Sequence, residues 1–80
     1  MSRNDQSATG SVSVDVSAAD QEFGRTTRGF FVGGAGDLAV TMKEGNNQTF
    51  AGVAAGTVLP IQATAALNTG TTATNVVALF

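Results

Sequence analysis

The sequence predicts an all-β protein, a small antiparallel β-sandwich or barrel of about six strands with an extended N-terminal arm. Three observations support this prediction. Apolar and polar residues alternate with a period of two in several segments, which is the pattern of a half-buried strand. Threonine and valine, which favour strands, occur eleven and nine times among the 80 residues. No segment carries the sustained apolar stripe of a helix.

The chain divides into an arm and one domain. Residues 1–11 are polar and small, so we expect an arm that becomes ordered on assembly. Residues 12–80 then form a single β domain, because the length allows only one hydrophobic core. Its first strand is predicted from Ser11 to Val16, where three valines alternate with Ser11, Ser13 and Asp15 and so share one face.

The segment after this strand contains turn signals. Residues 17–20 fit a capping box, which predicts a helical turn over residues 18–23 with Phe23 anchored in the core. Residues 29–32 are a short continuous apolar run. The glycine-rich residues 33–37 then predict a tight turn between two strands, in which the aspartate bonds local backbone amides.

The second half of the chain predicts a hairpin and two further strands. The hairpin spans residues 38–53 around a turn at residues 44–47, where glycine and asparagine tolerate positive φ. Residues 57–66 predict one strand with Pro60 at an edge or a bulge. Residues 72–80 predict the last strand. In the strand over 57–66, four residues are expected to share one face: Leu59, Ile61, Ala63 and Ala65.

The glycine-rich segment also matches part of a dinucleotide fingerprint. Gly34, Gly36 and Ala39 have the G-x-G-x-x-A spacing after an apolar strand. That fingerprint requires a following helix whose N-terminus holds the pyrophosphate, whereas a period-two strand follows here. A turn is therefore the preferred interpretation. The same segment resembles one calcium-binding β-helix repeat, but one copy does not make a stacked site.

Composition excludes several functions. The chain has no cysteine and no histidine, so we expect no disulfide, no metal, no cofactor and no enzymatic activity. Four basic residues and a net charge of −2 argue against nucleic-acid binding. The apolar runs are too short to insert in a membrane, and the N-terminus lacks the apolar segment of a secretion signal, which predicts synthesis in a cytoplasm.

Two strands are apolar on both faces, although a strand in a free sandwich should present polar residues to water on one face. They cover residues 30–32 and 76–80. Central strands covered by the arm and loops are one explanation. We favour a contact with a neighbouring subunit, because thirteen of the hydrophobic residues are alanines and leave few large side chains to stabilise a monomer. The candidate contact residues are Phe30, Phe31, Val32, Val76, Val77, Leu79 and Phe80.

Four segments, in order, carry a family resemblance: TRGFFVGGAGDL at 27–38, TFAGV at 49–53, GTVLPI at 56–61 and TGTTATNVVALF at 69–80. Together they resemble the head spike base proteins of tailed phages and of the related gene transfer agents of alphaproteobacteria. The resemblance implies a virion protein on the outer capsid surface. It also implies a homo-oligomer, expected to be a pentamer at the vertices, that contacts the major capsid protein and supports a spike fibre or a host-surface contact.

The chain departs from the family pattern at three places. Ala54 stands at an expected proline, and Phe80 stands at a usual terminal tryptophan. Residues 62–66 lack the basic side chains expected there, which indicates a neutral contact of small side chains. Two alternatives stay open: a capsid cement protein repeated across the shell, and a binding module for host glycans. The absence of tryptophan and tyrosine weakens the glycan alternative.

Overall fold

The computed structural model describes residues 10–80, which form a sandwich of two antiparallel four-stranded sheets. The first sheet has the order β1-β8-β3-β6 and the second has the order β2-β7-β4-β5. The predicted all-β sandwich is confirmed, with eight strands among these residues instead of about six. Their bounds are β1 Ser11–Ser13, β2 Gln21–Glu22, β3 Gly29–Gly34, β4 Gly36–Met42, β5 Asn47–Val53, β6 Thr57–Leu59, β7 Ala63–Ala66 and β8 Thr74–Leu79.

The predicted arm lies mostly outside the described residues, which begin at Gly10. Gly10 and Phe80 exchange two backbone hydrogen bonds, of 3.0 and 2.8 Å. Ser11 then pairs with Leu79 at the start of β1. The chain is therefore already held against the first sheet at residues 10 and 11.

The core lies between the sheets and is made by alternate residues of each strand. In the first sheet, Val12 lies opposite Ala78, which lies opposite Phe30, so these side chains share the inner face. Val14 packs against the core and Val16 is buried, as the period-two pattern predicts. The largest fully buried side chains are Phe30, Leu38, Val32, Val40 and Thr27.

Two further features complete the core. The Phe23 ring lies 5.9 Å from the Phe30 ring and 5.7 Å from the Phe80 ring, so Phe23 is the anchor that the sequence predicts. The buried Thr27 hydroxyl donates to the carbonyl of Ile61 and accepts from the amide of Ala63, both at 3.0 Å. This hydroxyl satisfies two backbone groups of the segment that joins the sheets.

The helical turn predicted over residues 18–23 is wrong. Asp15 accepts hydrogen bonds from both the amide and the hydroxyl of Ser17, so that hydroxyl does not cap a helix. The Asp20 carboxylate accepts from the distant amide of Asn68 at 2.7 Å, and β2 pairs with β7. Residues 10–80 contain no helix long and apolar enough to cross a membrane.

The glycine-rich segment is the tight connection between two strands that the sequence predicts, with one residue between β3 and β4. β3 belongs to the first sheet and β4 to the second, so the chain changes sheet at Ala35. Gly36 allows the crossing, because a Cβ there would lie 2.6 Å from the amide nitrogen of Ala73. The strand β4 follows this segment, whereas the dinucleotide fingerprint requires a helix there.

The single strand predicted over residues 57–66 is also wrong, because it divides into β6 and β7 in different sheets. Pro60 lies at the break, where its missing N–H prevents continued pairing. A register shift between Thr41 and Met42 then places Ala63 and Ala66 towards the core, while Ala65 pairs with Thr41 on the outer side. The hairpin predicted over residues 38–53 is confirmed as β4 and β5.

Candidate functional site: the outer face of the first sheet

An apolar patch covers the outer face of the first sheet. Phe31 lies opposite Val77 on one side and Val58 on the other. Leu79 lies two residues from Val77 and so points to the same side. Phe31 is 38% exposed and Val58 is 54% exposed, while the neighbours of Phe31 in β3 are fully buried. We call Phe31, Val58, Val77 and Leu79 the apolar face.

The rim of this face is neutral and polar. Ser11 lies opposite Leu79 and Ser13 lies opposite Val77 on the β1 side. Exposed Asn75 continues β8 beyond Val77 on the same side of the strand. The surface thus combines a small apolar centre with uncharged polar neighbours, which suits association through burial more than through charge.

The structure divides the seven predicted contact residues between two faces. The core side receives Phe30, Val32, Val76 and Phe80, each at most 5% exposed. The outer side receives Phe31, Val77 and Leu79. The last three form one continuous patch, whereas the first four are already covered within the chain.

Sequence reasoning missed Val58, the most exposed large hydrophobic side chain among the described residues. A signal for it exists. Leu59 and Ile61 are predicted to share one face, so period-two alternation places Val58 on the opposite face. An apolar residue there continues the row formed by Phe31 and Val77.

The Phe80 ring is held by one cation and one aromatic ring. The Arg25 guanidinium carbon lies 3.9 Å from its ring centroid. Phe23 packs on the same ring edge to face. The terminal phenylalanine therefore closes the core at this end of the sandwich.

Asp37 does not bond local amides as predicted. Its carboxylate accepts from the amide of Gly52 at 2.8 Å, across a register shift between β4 and β5. Its own amide donates to the Thr72 hydroxyl at 2.9 Å. Within residues 10–80, no three acidic side chains come together to hold a metal ion. Asp37 thus has a structural role in joining β4 to its neighbours.

Comparison with known proteins identifies the fold. No protein-family model matches the chain, and no curated protein matches it. A chain in a solved structure, described as the capsid of a native GTA particle computed with C5 symmetry, is similar over 100% of both chains. The TM-score is 0.74 and the sequence identity is 24%. This protein therefore has the small β-sandwich fold of that capsid-particle chain.

Proposed function

We propose that this protein is a structural virion component, the head spike base on the outer surface of a capsid. The observation that carries the proposal is the fold match over the whole of both chains to a chain of a GTA capsid structure. The four sequence segments that resemble head spike base proteins support the same assignment. In this role the protein has no enzymatic activity and takes no cofactor.

The apolar face is proposed as the contact between subunits. Exposed Phe31 and Val58 lie in one row with half-buried Val77 across three strands, a surface more apolar than that of an ordinary solvated strand. A ring of identical subunits buries such a surface on every copy. Five copies at a vertex match the C5 symmetry of the similar particle. The ring then contacts the major capsid protein below and supports a fibre or a host-surface contact above.

A cement protein repeated across the shell is the alternative function, because the same β-sandwich fold is compatible with it. The two roles differ in copy number and position on the particle. A spike base occupies only the vertices, whereas a cement protein approaches the number of major capsid protein copies. A glycan-binding role predicts instead that particles lacking the protein lose adsorption to the host.

The deciding experiment is a reconstruction of purified particles together with quantitative mass spectrometry of their proteins. We expect density for this chain at the vertices and a low ratio to the major capsid protein. Density spread over the shell would replace the spike base by a cement role. Particles without this protein would overturn the proposed function.

A matched pair of valine substitutions tests the contact. Val58 and Val12 both lie on edge strands of the first sheet and are 54% and 37% exposed, but Val58 belongs to the apolar face whereas Val12 lies on the inner side. We expect Val58→Ser to reduce oligomerisation in sedimentation by about tenfold in Kd, the ~1.4 kcal/mol that one exposed valine contributes on burial. Val12→Ser should lower thermal stability and leave oligomerisation unchanged. Equal oligomerisation of both variants would contradict the assignment.

A further inference from the structure

The four edge strands of the sandwich are not equivalent. β1 and β6 have three residues each, β2 has two, and β6 is followed by Pro60. β5 is an edge strand of seven residues, Asn47–Val53, with no proline and no charged side chain. Proteins usually protect long edge strands with charges, prolines or short length, because unpaired backbone groups recruit other strands. Three edges are short, and β5 has a bulge at Gly52 (φ 69°) near its end, so the open edge is the regular stretch over residues 47–50.

The backbone of Thr49 points to this open edge. Thr49 lies opposite Ala39 in β4. The Ala39 amide donates to the Thr71 hydroxyl at 3.0 Å, and its carbonyl accepts from the amide of Leu67 at 2.9 Å. Both backbone groups of Ala39 therefore point away from β5. The pair of Ala39 and Thr49 is non-hydrogen-bonded, and the N–H and C=O of Thr49 point away from β4.

Hydrogen bonds to β4 fix β5 at both ends. The Thr41 hydroxyl donates to the side-chain carbonyl of Asn47 at 2.8 Å, at the start of β5. The Gly52 amide donates to Asp37 near its end. Both bonds lie on the β4 side, so the regular stretch over residues 47–50 is held against β4 while its other side stays accessible. A preorganised edge of this kind costs an incoming strand less ordering entropy.

We propose that residues 1–9 of a second copy of this chain add as a strand to the β5 edge. These residues precede Gly10 and β1, contain no proline, and carry one basic and one acidic side chain whose charges cancel. Their serine, threonine, asparagine and glutamine side chains match the polar residues 47–49 of β5. Main-chain hydrogen bonds provide the affinity in such strand addition.

The distance across the sandwich favours a second copy over the chain's own arm. β1 lies over β2, since the Gln21 side chain donates to the Ser13 carbonyl at 3.2 Å, so β1 and β5 are on opposite sides. Crossing four strands and one sheet spacing takes about 24 Å. Nine extended residues reach about 30 Å, which leaves about two residues to pair in the same copy. A neighbouring copy placed side by side removes this crossing and leaves the whole segment free to pair.

Amide hydrogen exchange on the oligomer tests the proposal. The full chain is compared with a variant that lacks residues 2–9. We expect the Thr49 amide to exchange at least about tenfold faster in the deletion variant, since it loses an intermolecular bond. The Gln48 amide, whose residue lies opposite Val40 in a hydrogen-bonded position, should exchange equally in both. Equal Thr49 exchange in both proteins would overturn the proposal.

Cross-linking provides a second measurement, because the native chain has no cysteine. Thr49→Cys chains are mixed with chains carrying one cysteine at each position from 5 to 9, and oxidised. Disulfides between the two kinds of chain support the proposal. Exposed Thr74→Cys is the control on another strand. Disulfides between two Thr49→Cys chains alone would assign the edge to β5–β5 pairing and contradict the proposal.

This inference extends the proposed function but needs only that two copies meet. If the deletion variant keeps its Thr49 protection yet the native protein is present at vertices, strand addition fails and the spike base assignment stands. If the native protein is absent from particles while the cross-links form, the spike base assignment fails and strand addition stands.

Discussion

The outer faces of the two sheets differ in what covers them. The first sheet presents the apolar face, with Phe31 and Val58 partly open to solvent. On the second sheet, the loop over residues 67–73 runs along β4, and Ala39 is only 1% exposed. Threonine hydroxyls take the place of a neighbouring strand there. The Thr71 hydroxyl accepts from the Ala39 amide and the Thr72 hydroxyl accepts from the Asp37 amide.

This difference bears on why the apolar face is open. The chain is short, yet the seven residues of the loop over 67–73 cover backbone and small side chains of the second sheet. The larger apolar side chains of the first sheet receive no such cover from residues 10–80. The apolar face is therefore exposed because the covering loop lies on the second sheet, and not simply because the chain is short. A partner that covers it is the explanation that we propose.

The largest expected effect on stability comes from one of two adjacent phenylalanines that lie on opposite faces of the first sheet. Phe30 is fully buried and Phe31 is 38% exposed. We expect Phe30→Ala to lower the free energy of unfolding by ~3–5 kcal/mol through a core cavity. Phe31→Ala should cost about 1 kcal/mol or less in the monomer and weaken oligomerisation instead. Urea unfolding at fixed protein concentration, with sedimentation beside it, measures both. Equal losses of unfolding free energy would contradict the assignment of the faces.

A smaller loss of unfolding free energy is expected from a substitution in the loop over residues 67–73, which covers part of the second sheet. Thr71→Val keeps the side-chain volume but removes the hydroxyl that accepts from the buried Ala39 amide. An unsatisfied buried amide costs ~1–3 kcal/mol, so the variant should unfold at lower denaturant concentration and exchange the Ala39 amide faster. Thr71→Ser is the control because it retains the hydroxyl. A Thr71→Val protein as stable as the native one would mean that the hydroxyl does not secure the loop.

The sequence predicted those parts of the fold that depend on residues close together in the chain. The valines of residues 12–16 and the hairpin of β4 and β5 follow from alternation and turn chemistry, which are visible in a few neighbouring residues. The double-sided apolar strands correctly indicate an exposed apolar surface. Alternation alone did not say which side of each strand faces the core, so Phe30 and Phe31 were grouped together.

Distant contacts decided the rest. Asp20 forms its bond with Asn68, and Asp37 forms its bond with Gly52, so neither carboxylate acts on its own turn. Pro60 was expected inside one strand, at an edge or a bulge, yet it marks the point where the chain changes sheet. Each of these outcomes depends on which strands meet across the sandwich, and spacing along the chain does not contain that information.

The smallest expected effect is a change in the pKa of Asp15. This residue lies in the segment that joins β1 of the first sheet to β2 of the second. Hydrogen bonds from the side chain and the amide of Ser17 lower the pKa of the Asp15 carboxyl below its usual value. A lowered pKa stabilises the fold above the unfolded pKa, and this contribution is lost as the pH falls through the folded pKa. Ser17→Ala removes the larger of the two bonds, so the Asp15 pKa should rise towards its usual value. Carboxyl chemical shifts followed through an acid titration measure this change, with Ser13→Ala as the control because Asp15 has no bond from that side chain in the described residues. An Asp15 pKa that is the same in Ser17→Ala and in the native protein would show that the turn does not hold the carboxylate.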